Sequence, residues 1–221
     1  MCISLLNALL PLGDNHEIKD LEYVDSDVLP DNPLKKNSIV DVRCKDIEGR
    51  EFLVEMQLYW SEGFKQRTLY NVTKAYSSQL IKGSKFQELK PVYALCIIND
   101  FFERDIEYKD KFHYTYELRE QTAKDLKMDG LCMVFVELPK FKPQNKAQAK
   151  MMNLWLTFLK DIREGTETED IDQSLFDNDM TNKALETLSE LSFTPEERQL
   201  YDKMWDTISK ERTALFDVEK K

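Results

Sequence analysis

The stretch that decides the fold is SIVDVRCKDIEGREFLVEMQ, residues 38–57. Its first half alternates with a period of two: Ile39, Asp41, Arg43 and Lys45 fall on one face, and Val40, Val42 and Cys44 on the other. Residues 51–59 repeat that period, so two strands are predicted on either side of a short turn. A three-residue loop of Ile47, Glu48 and Gly49, with Gly49 in the left-handed conformation, closes a hairpin and pairs Asp46 with Arg50. Counting back along this register sets Asp41 directly across from Glu55, with Gln57 on the same face.

Two carboxylates opposed across a strand pair repel, and burial drives at least one of them toward its neutral form. A divalent cation removes both costs. Two acids on adjacent strands, with a backbone carbonyl and waters, make an oxygen-rich site suited to Mg²⁺ or Mn²⁺. Such an ion lowers the pKa of a bound water and stabilises charge developing on a phosphate. Gln57 would hold the water or a phosphate oxygen, but it lacks the charge and the titratable proton of a lysine. The alternative is an ordinary half-exposed sheet face on which Asp41 and Glu55 pair with Arg43 and Lys45. The spacing D-x(13)-E-x-Q does not choose between these.

Working outward, residues 62–82 form a predicted helix between Gly63 and Gly83, with Leu69, Val72, Tyr76 and Leu80 as its apolar stripe. Arg67, Asn71, Lys74 and Ser78 fall on its other side. Residues 63–87 carry five Lys or Arg and no acid, which suits either a polyanion or a solvated face. The N-terminal MCISLLNALLPL has no basic residues ahead of it and no small-residue cleavage site, so it reads as a helix stopped by Pro11 and Gly13 rather than a signal peptide. IKDLEYV is a candidate strand, and PVYALCII and LCMVFVEL are candidate buried strands. The charged, aromatic stretch from about 100 to 130 reads as loop plus a short helix. A strong amphipathic helix starts near residue 145, followed by an acidic linker near 163–180 and a final helix with Thr194 as cap, Pro195 at its first position and Glu197 at its third. The order predicts an α/β core with a mixed sheet over 1–143 and a helical C-terminal region over 144–221.

Composition narrows the function classes. With 42% hydrophobic and 33% charged residues and no apolar run near the roughly 18 needed to span a bilayer, a soluble protein with no membrane partner is expected. The net charge of −10 is unevenly spread: residues 161–221 hold 17 acids and 8 bases, leaving 24 acids and 23 bases in the rest. Cys2, Cys44, Cys96 and Cys132 are dozens of residues apart, which predicts free thiols and a reducing, cytoplasmic setting. His16 and His113 are too far apart to suggest a zinc site, and no glycine-rich phosphate loop is present.

A longer collinear set then becomes visible: SLLNALLP, KKNSIVDVRCKDIEGREFLVEMQ, GFKQRTLYNVTKAYSSQLIKGSKFQELKPVYALCI, VFVELPKF and a later WLTFLKD. From residue 4 to the final helices, it resembles the PD-(D/E)XK nuclease family transposases, also described as the Rpn recombination-promoting nucleases. The resemblance implies a restriction-endonuclease-like core that hydrolyses DNA with Mg²⁺. Asp41 and Glu55 take the places of the metal-binding acids, and Gln57 that of the usual lysine. Gln79 matches the auxiliary polar residue of the basic helix, while Arg67 and Lys74 are candidate DNA contacts. Family members carry a D-x-x-F-K-x-x-F-G-like stretch ahead of the segment matching LLNALLP. This chain begins without it, so a shortened family member is expected.

Two functions follow as expectations. One is a Mg²⁺-dependent DNA endonuclease of recombination or mobile DNA, in which Asp41, Glu55, Gln57 and Gln79 form the site. The other is a catalytically silent family member acting in DNA binding or assembly, possible as a homo-oligomer through its C-terminal helices.

Overall fold

In the computed structural model the hairpin takes the register set by its turn. The structure describes residues 2–13, 15–25, 27–28, 38–39, 41–143, 150–161, 178–179 and 181–183. Gly49 has φ +83°, and the Asp46 carboxylate accepts from the backbone N–H groups of Glu48 and Arg50 at 3.0 and 2.9 Å. An aspartate that bonds its own turn in this way preorganises the reversal. The strands it joins are β4 (Val42–Lys45) and β5 (Glu51–Gln57), paired antiparallel from Val42↔Val54 to Lys45↔Glu51.

The remaining described strands and α-helices are α1 (Cys2–Leu9), β1 (Glu22–Tyr23), β2 (Asp27–Val28), β3 (Ser38–Ile39), α2 (Phe64–Ser78), β6 (Val92–Ile98), β7 (His113–Arg119), β8 (Lys127–Glu137) and α3 (Lys150–Asp161). Six strands form one mixed sheet in the order β1-β4-β5-β6-β8-β7, and β2 and β3 pair separately. β5, β6 and β8 run parallel, while β1, β4 and β7 are antiparallel to their neighbours. β6 is covered on both faces, which is why its sequence is a continuous apolar run rather than an alternation.

Alternation within the strands divides the core between the two faces. Phe52, Val54, Leu95, Ile97, Val134 and Val136 pack with Leu6 and Leu9 of α1 and Leu156 of α3. On the other face Leu53, Val92 and Ala94 meet Val72 and Ala75 of α2, and Cys96, Ile98 and Phe135 meet Phe64. Each fully buried side chain of the leucine or phenylalanine class contributes about 1.5–3 kcal/mol. Trp155 donates its indole N–H to Ser4 Oγ at 3.0 Å, holding α3 on α1. Leu154, Trp155, Leu156 and Phe158 are buried, and Leu156 joins the core with Leu6 and Leu9.

Three sequence expectations change. Residues 113–119 lie in the stretch read as loop plus short helix, yet they form an edge strand on β8; a single 3₁₀ turn at Ile106–Tyr108 precedes it. Charges at Glu117 and Arg119 suit an exposed edge and hide the strand from a search for apolar runs. The segment IKDLEYV contributes only the two residues of β1. α2 is also rotated from its expected stripe: Phe64, Thr68, Asn71, Val72 and Ala75 are buried, whereas Leu69 is 46% exposed. Thr68 and Ala75 are small enough to let the helix lie close on β6 and β8.

All four cysteines are free, with Cys44, Cys96 and Cys132 buried. Among the described residues, no helix is long and apolar enough to cross a membrane. The chain divides into units spanning Met1–Thr181 and Asn182–Lys221. Of the second unit only Asn182 and Lys183 are described, so the expected final helix capped by Thr194 lies outside the described residues, as does most of the acidic linker.

Candidate active site

The parallel strands end together, with Gln57, Ile98 and Glu137 abreast on neighbouring strands. Beyond the carboxyl ends of parallel strands is where open α/β sheets form their ligand crevices. The β4–β5 register brings the acids to that end: the ladder closes at Val42↔Val54, Asp41 is the bend residue just before it, and Glu55 follows Val54 on β5. Strand alternation puts Glu55 and Gln57 on the α2 face with Leu53, while Phe52 and Val54 enter the opposite core.

The two carboxylates sit in different surroundings. Asp41 is exposed, and its Oδ2 accepts the Met56 backbone N–H at 2.7 Å, tying it to the strand next to Glu55. Glu55 is only 5% exposed. Its Oε1 accepts from Asn71 Nδ2 at 2.9 Å, and its Oε2 lies 3.3 Å from the Arg67 guanidinium. Burial pushes the Glu55 pKa above its ordinary value; Arg67 and Asn71 oppose that rise, and the Asp41 charge adds to it. This is a desolvated anion whose nearest acidic neighbour raises its cost.

Gln57 is partly exposed at the end of β5, where its backbone carbonyl accepts from Asn99 N–H at 2.8 Å. Lys74 lies two turns along α2 from Arg67, with its ammonium 5.8 Å from the Tyr70 ring. Gln79 does not join the group. Its amide donates to Lys90 O at 3.1 Å and accepts from Lys90 N–H at 2.8 Å, stitching the end of α2 to the chain entering β6. That entry is level with Glu51, at the far end of β5 from Glu55 and Gln57. A polar residue near the end of an amphipathic helix is as well placed to cap it as to reach a site.

Asn71 is the residue that sequence reasoning missed. The helical spacing puts it opposite the expected apolar stripe of α2, yet it is 1% exposed and holds Glu55. Its position one helical turn after Arg67 was the available signal, because residues four apart share a face. Two loops follow the strand ends. Asp100 Oδ2 accepts from Trp60 N–H at 3.0 Å, joining the loop after β5 to the loop after β6. Glu137, fully buried, accepts at Oε1 from the N–H groups of Phe102 and Glu103 at 2.7 and 3.1 Å. Its Oε2 lies 2.7 Å from Lys140 Nζ, an ion pair whose angle falls outside hydrogen-bond geometry.

Nucleophilic side-chain chemistry does not fit this site. Cys96 is the lateral neighbour of Glu55, and burial pushes its thiol up to about 12, so it stays protonated. His113 Nε2 is engaged with Leu9 O at 2.9 Å. The donors at the strand ends are oxygens of Asp41 and Glu55, a set suited to a hard divalent cation. Among the described residues, no group of three or more His, Cys, Asp or Glu converges to hold one. Any cation there would rest on this pair with main-chain or water oxygens.

Searches of curated proteins and of solved structures return no significant match. The sequence model of the PD-(D/E)XK nuclease family transposases matches residues 1–215, nearly the whole chain. The mixed sheet, the two acids at the ends of its hairpin strands and the extent of that match agree, and the chain belongs to the PD-(D/E)XK nuclease family transposases.

Proposed function

We propose that the chain is a divalent-cation-dependent DNA endonuclease acting in recombination or on mobile DNA, with Asp41 and Glu55 as its metal ligands. The observation that carries this is the nearness of Asp41 and Glu55 at the strand ends: Asp41 accepts the N–H of Met56, the residue after Glu55, and Glu55 is buried and further disfavoured by the Asp41 charge. Mg²⁺ or Mn²⁺ would neutralise the pair, and when bound it supplies water activation and charge stabilisation at the phosphate. Asn71 fixes one Glu55 oxygen and so orients the other. Gln57 can donate to and accept from a water or a phosphate oxygen, but it cannot remove a proton. The proton released in phosphodiester hydrolysis therefore passes to solvent or to the substrate phosphate. Arg67 and Lys74 follow one side of α2, where a DNA backbone would pass the acids.

Plasmid nicking with Mg²⁺ or Mn²⁺, against chelator, tests the proposal. Asp41→Ala and Glu55→Gln should each lower the rate by on the order of 100-fold or more, the loss expected when several kcal/mol of transition-state stabilisation disappear. Binding should weaken steeply with salt if several phosphates are neutralised. Equal cleavage by wild type and Asp41→Ala rejects the site, and absence of cleavage under all conditions favours a silent binding or assembly module.

A further inference from the structure

We infer that Arg67 is an interlock between the cation and the polyanion: it occupies Glu55 when no cation is bound and passes to a phosphate when one is. The inference rests on the metal reading of the Asp41/Glu55 pair and adds an order of events to it. Glu55 Oε1 is held by a buried amide at 2.9 Å, whereas Oε2 is approached by Arg67 at 3.3 Å. The Glu55 side chain is 7% exposed and that of Arg67 45%. The inner oxygen therefore has a fixed partner, and the outer one has a partner that reaches it from solvent.

A divalent cation shared with Asp41 must use an oxygen of Glu55, and Oε2 is the one without a buried donor. A guanidinium beside the same oxygen would face that cation at short range, where like charges repel strongly outside bulk water. Arg67 then leaves Glu55. The cost of its departure is offset when a phosphate takes its planar donor fork, the geometry guanidinium matches well. In its place beside Glu55 the guanidinium also lies over the Phe64 ring, its carbon 4.9 Å from the centroid, a contact that its departure gives up. Cation and DNA consequently assist each other through one side chain, and thermodynamic linkage makes the assistance equal in both directions.

The test is calorimetric titration of the full chain with Ca²⁺, an oxygen-seeking cation, with and without a short DNA duplex. The signal lost in Glu55→Gln isolates this site from other acidic groups, and if that variant titrates like wild type, the metal reading itself fails. Given a Glu55-dependent signal, Arg67→Gln should tighten cation binding without DNA by roughly 5- to 150-fold, the usual span of coupled sites. It should also abolish most of the tightening that DNA produces in wild type. Arg67→Lys, which keeps the charge, should stay nearer wild type in both measurements. Unchanged or weaker cation binding by Arg67→Gln overturns the interlock and leaves Arg67 as a simple phosphate contact or a support for Glu55.

Discussion

Replacing Glu137 by alanine should be among the most damaging single changes outside the acid pair. Glu137 is fully buried and accepts two backbone N–H groups of the loop after β6, while its other oxygen faces Lys140 at 2.7 Å. The Lys140 side chain is itself only 5% exposed, so truncation leaves an ammonium in the core without its carboxylate. Breaking a buried ion pair from one side costs about 3–5 kcal/mol. The orphaned N–H groups of Phe102 and Glu103 add to this unless water enters. For a chain of this size a loss of about 3–5 kcal/mol corresponds to a fall in melting temperature of roughly 6–20 °C. Urea unfolding followed by circular dichroism measures it. Glu137→Gln keeps an acceptor for the two N–H groups while Lys140 keeps its bonds to the Glu103 and Tyr108 carbonyls, so it should cost less than Glu137→Ala by at least about 1 kcal/mol. A loss under about 1 kcal/mol for Glu137→Ala, or a Glu137→Gln variant no better than it, would refute the assignment of Glu137 as the pin of this loop. The loop matters to the site because it carries Asp100, which holds Trp60 N–H beyond the end of β5.

Other expected outcomes are narrower. Asn71→Leu removes the buried donor to Glu55 and should lower stability by about 1.5–3 kcal/mol, the value of a hydrogen bond to a charged group; an unchanged urea midpoint would show that Glu55 does not depend on it. Gln79→Ala should leave plasmid nicking unchanged and cost about 1 kcal/mol of stability through its lost bonds to Lys90, whereas a nicking defect like that of Asp41→Ala would return Gln79 to the site. Burial holds the His113 pKa below its ordinary 6.5, outweighing its bond to Leu9. The folded chain therefore binds fewer protons there than the unfolded chain, and stability should fall as pH drops below about 6.5 toward the depressed native value. Comparing urea midpoints at about pH 7.5 and pH 5.5, His113→Gln should show a shallower loss than wild type, and parallel profiles would exclude His113 as a contributor.

The sequence alone determined the hairpin, because period-two alternation and the chemistry of one turn are local: Asp46 bonds its own reversal, Gly49 takes a positive φ, and the register from Lys45↔Glu51 to Val42↔Val54 follows by counting. β6 was equally legible, since a strand buried on both faces must be apolar throughout. Tertiary structure decided what depended on distant partners. β7 is a strand because β8 offers it an edge, although its own side chains are charged and aromatic. The rotation of α2 was open to sequence because more than one face of the helix carries apolar residues at helical spacing; contact with the sheet turned Leu69 outward and Asn71 inward. The same contact took Asn71 to Glu55, and the approach of the chain at Lys90 took Gln79 away from it. Strand pattern and turn chemistry act over a few residues, whereas the partner of a helical side chain is set by whichever surface the helix comes to cover.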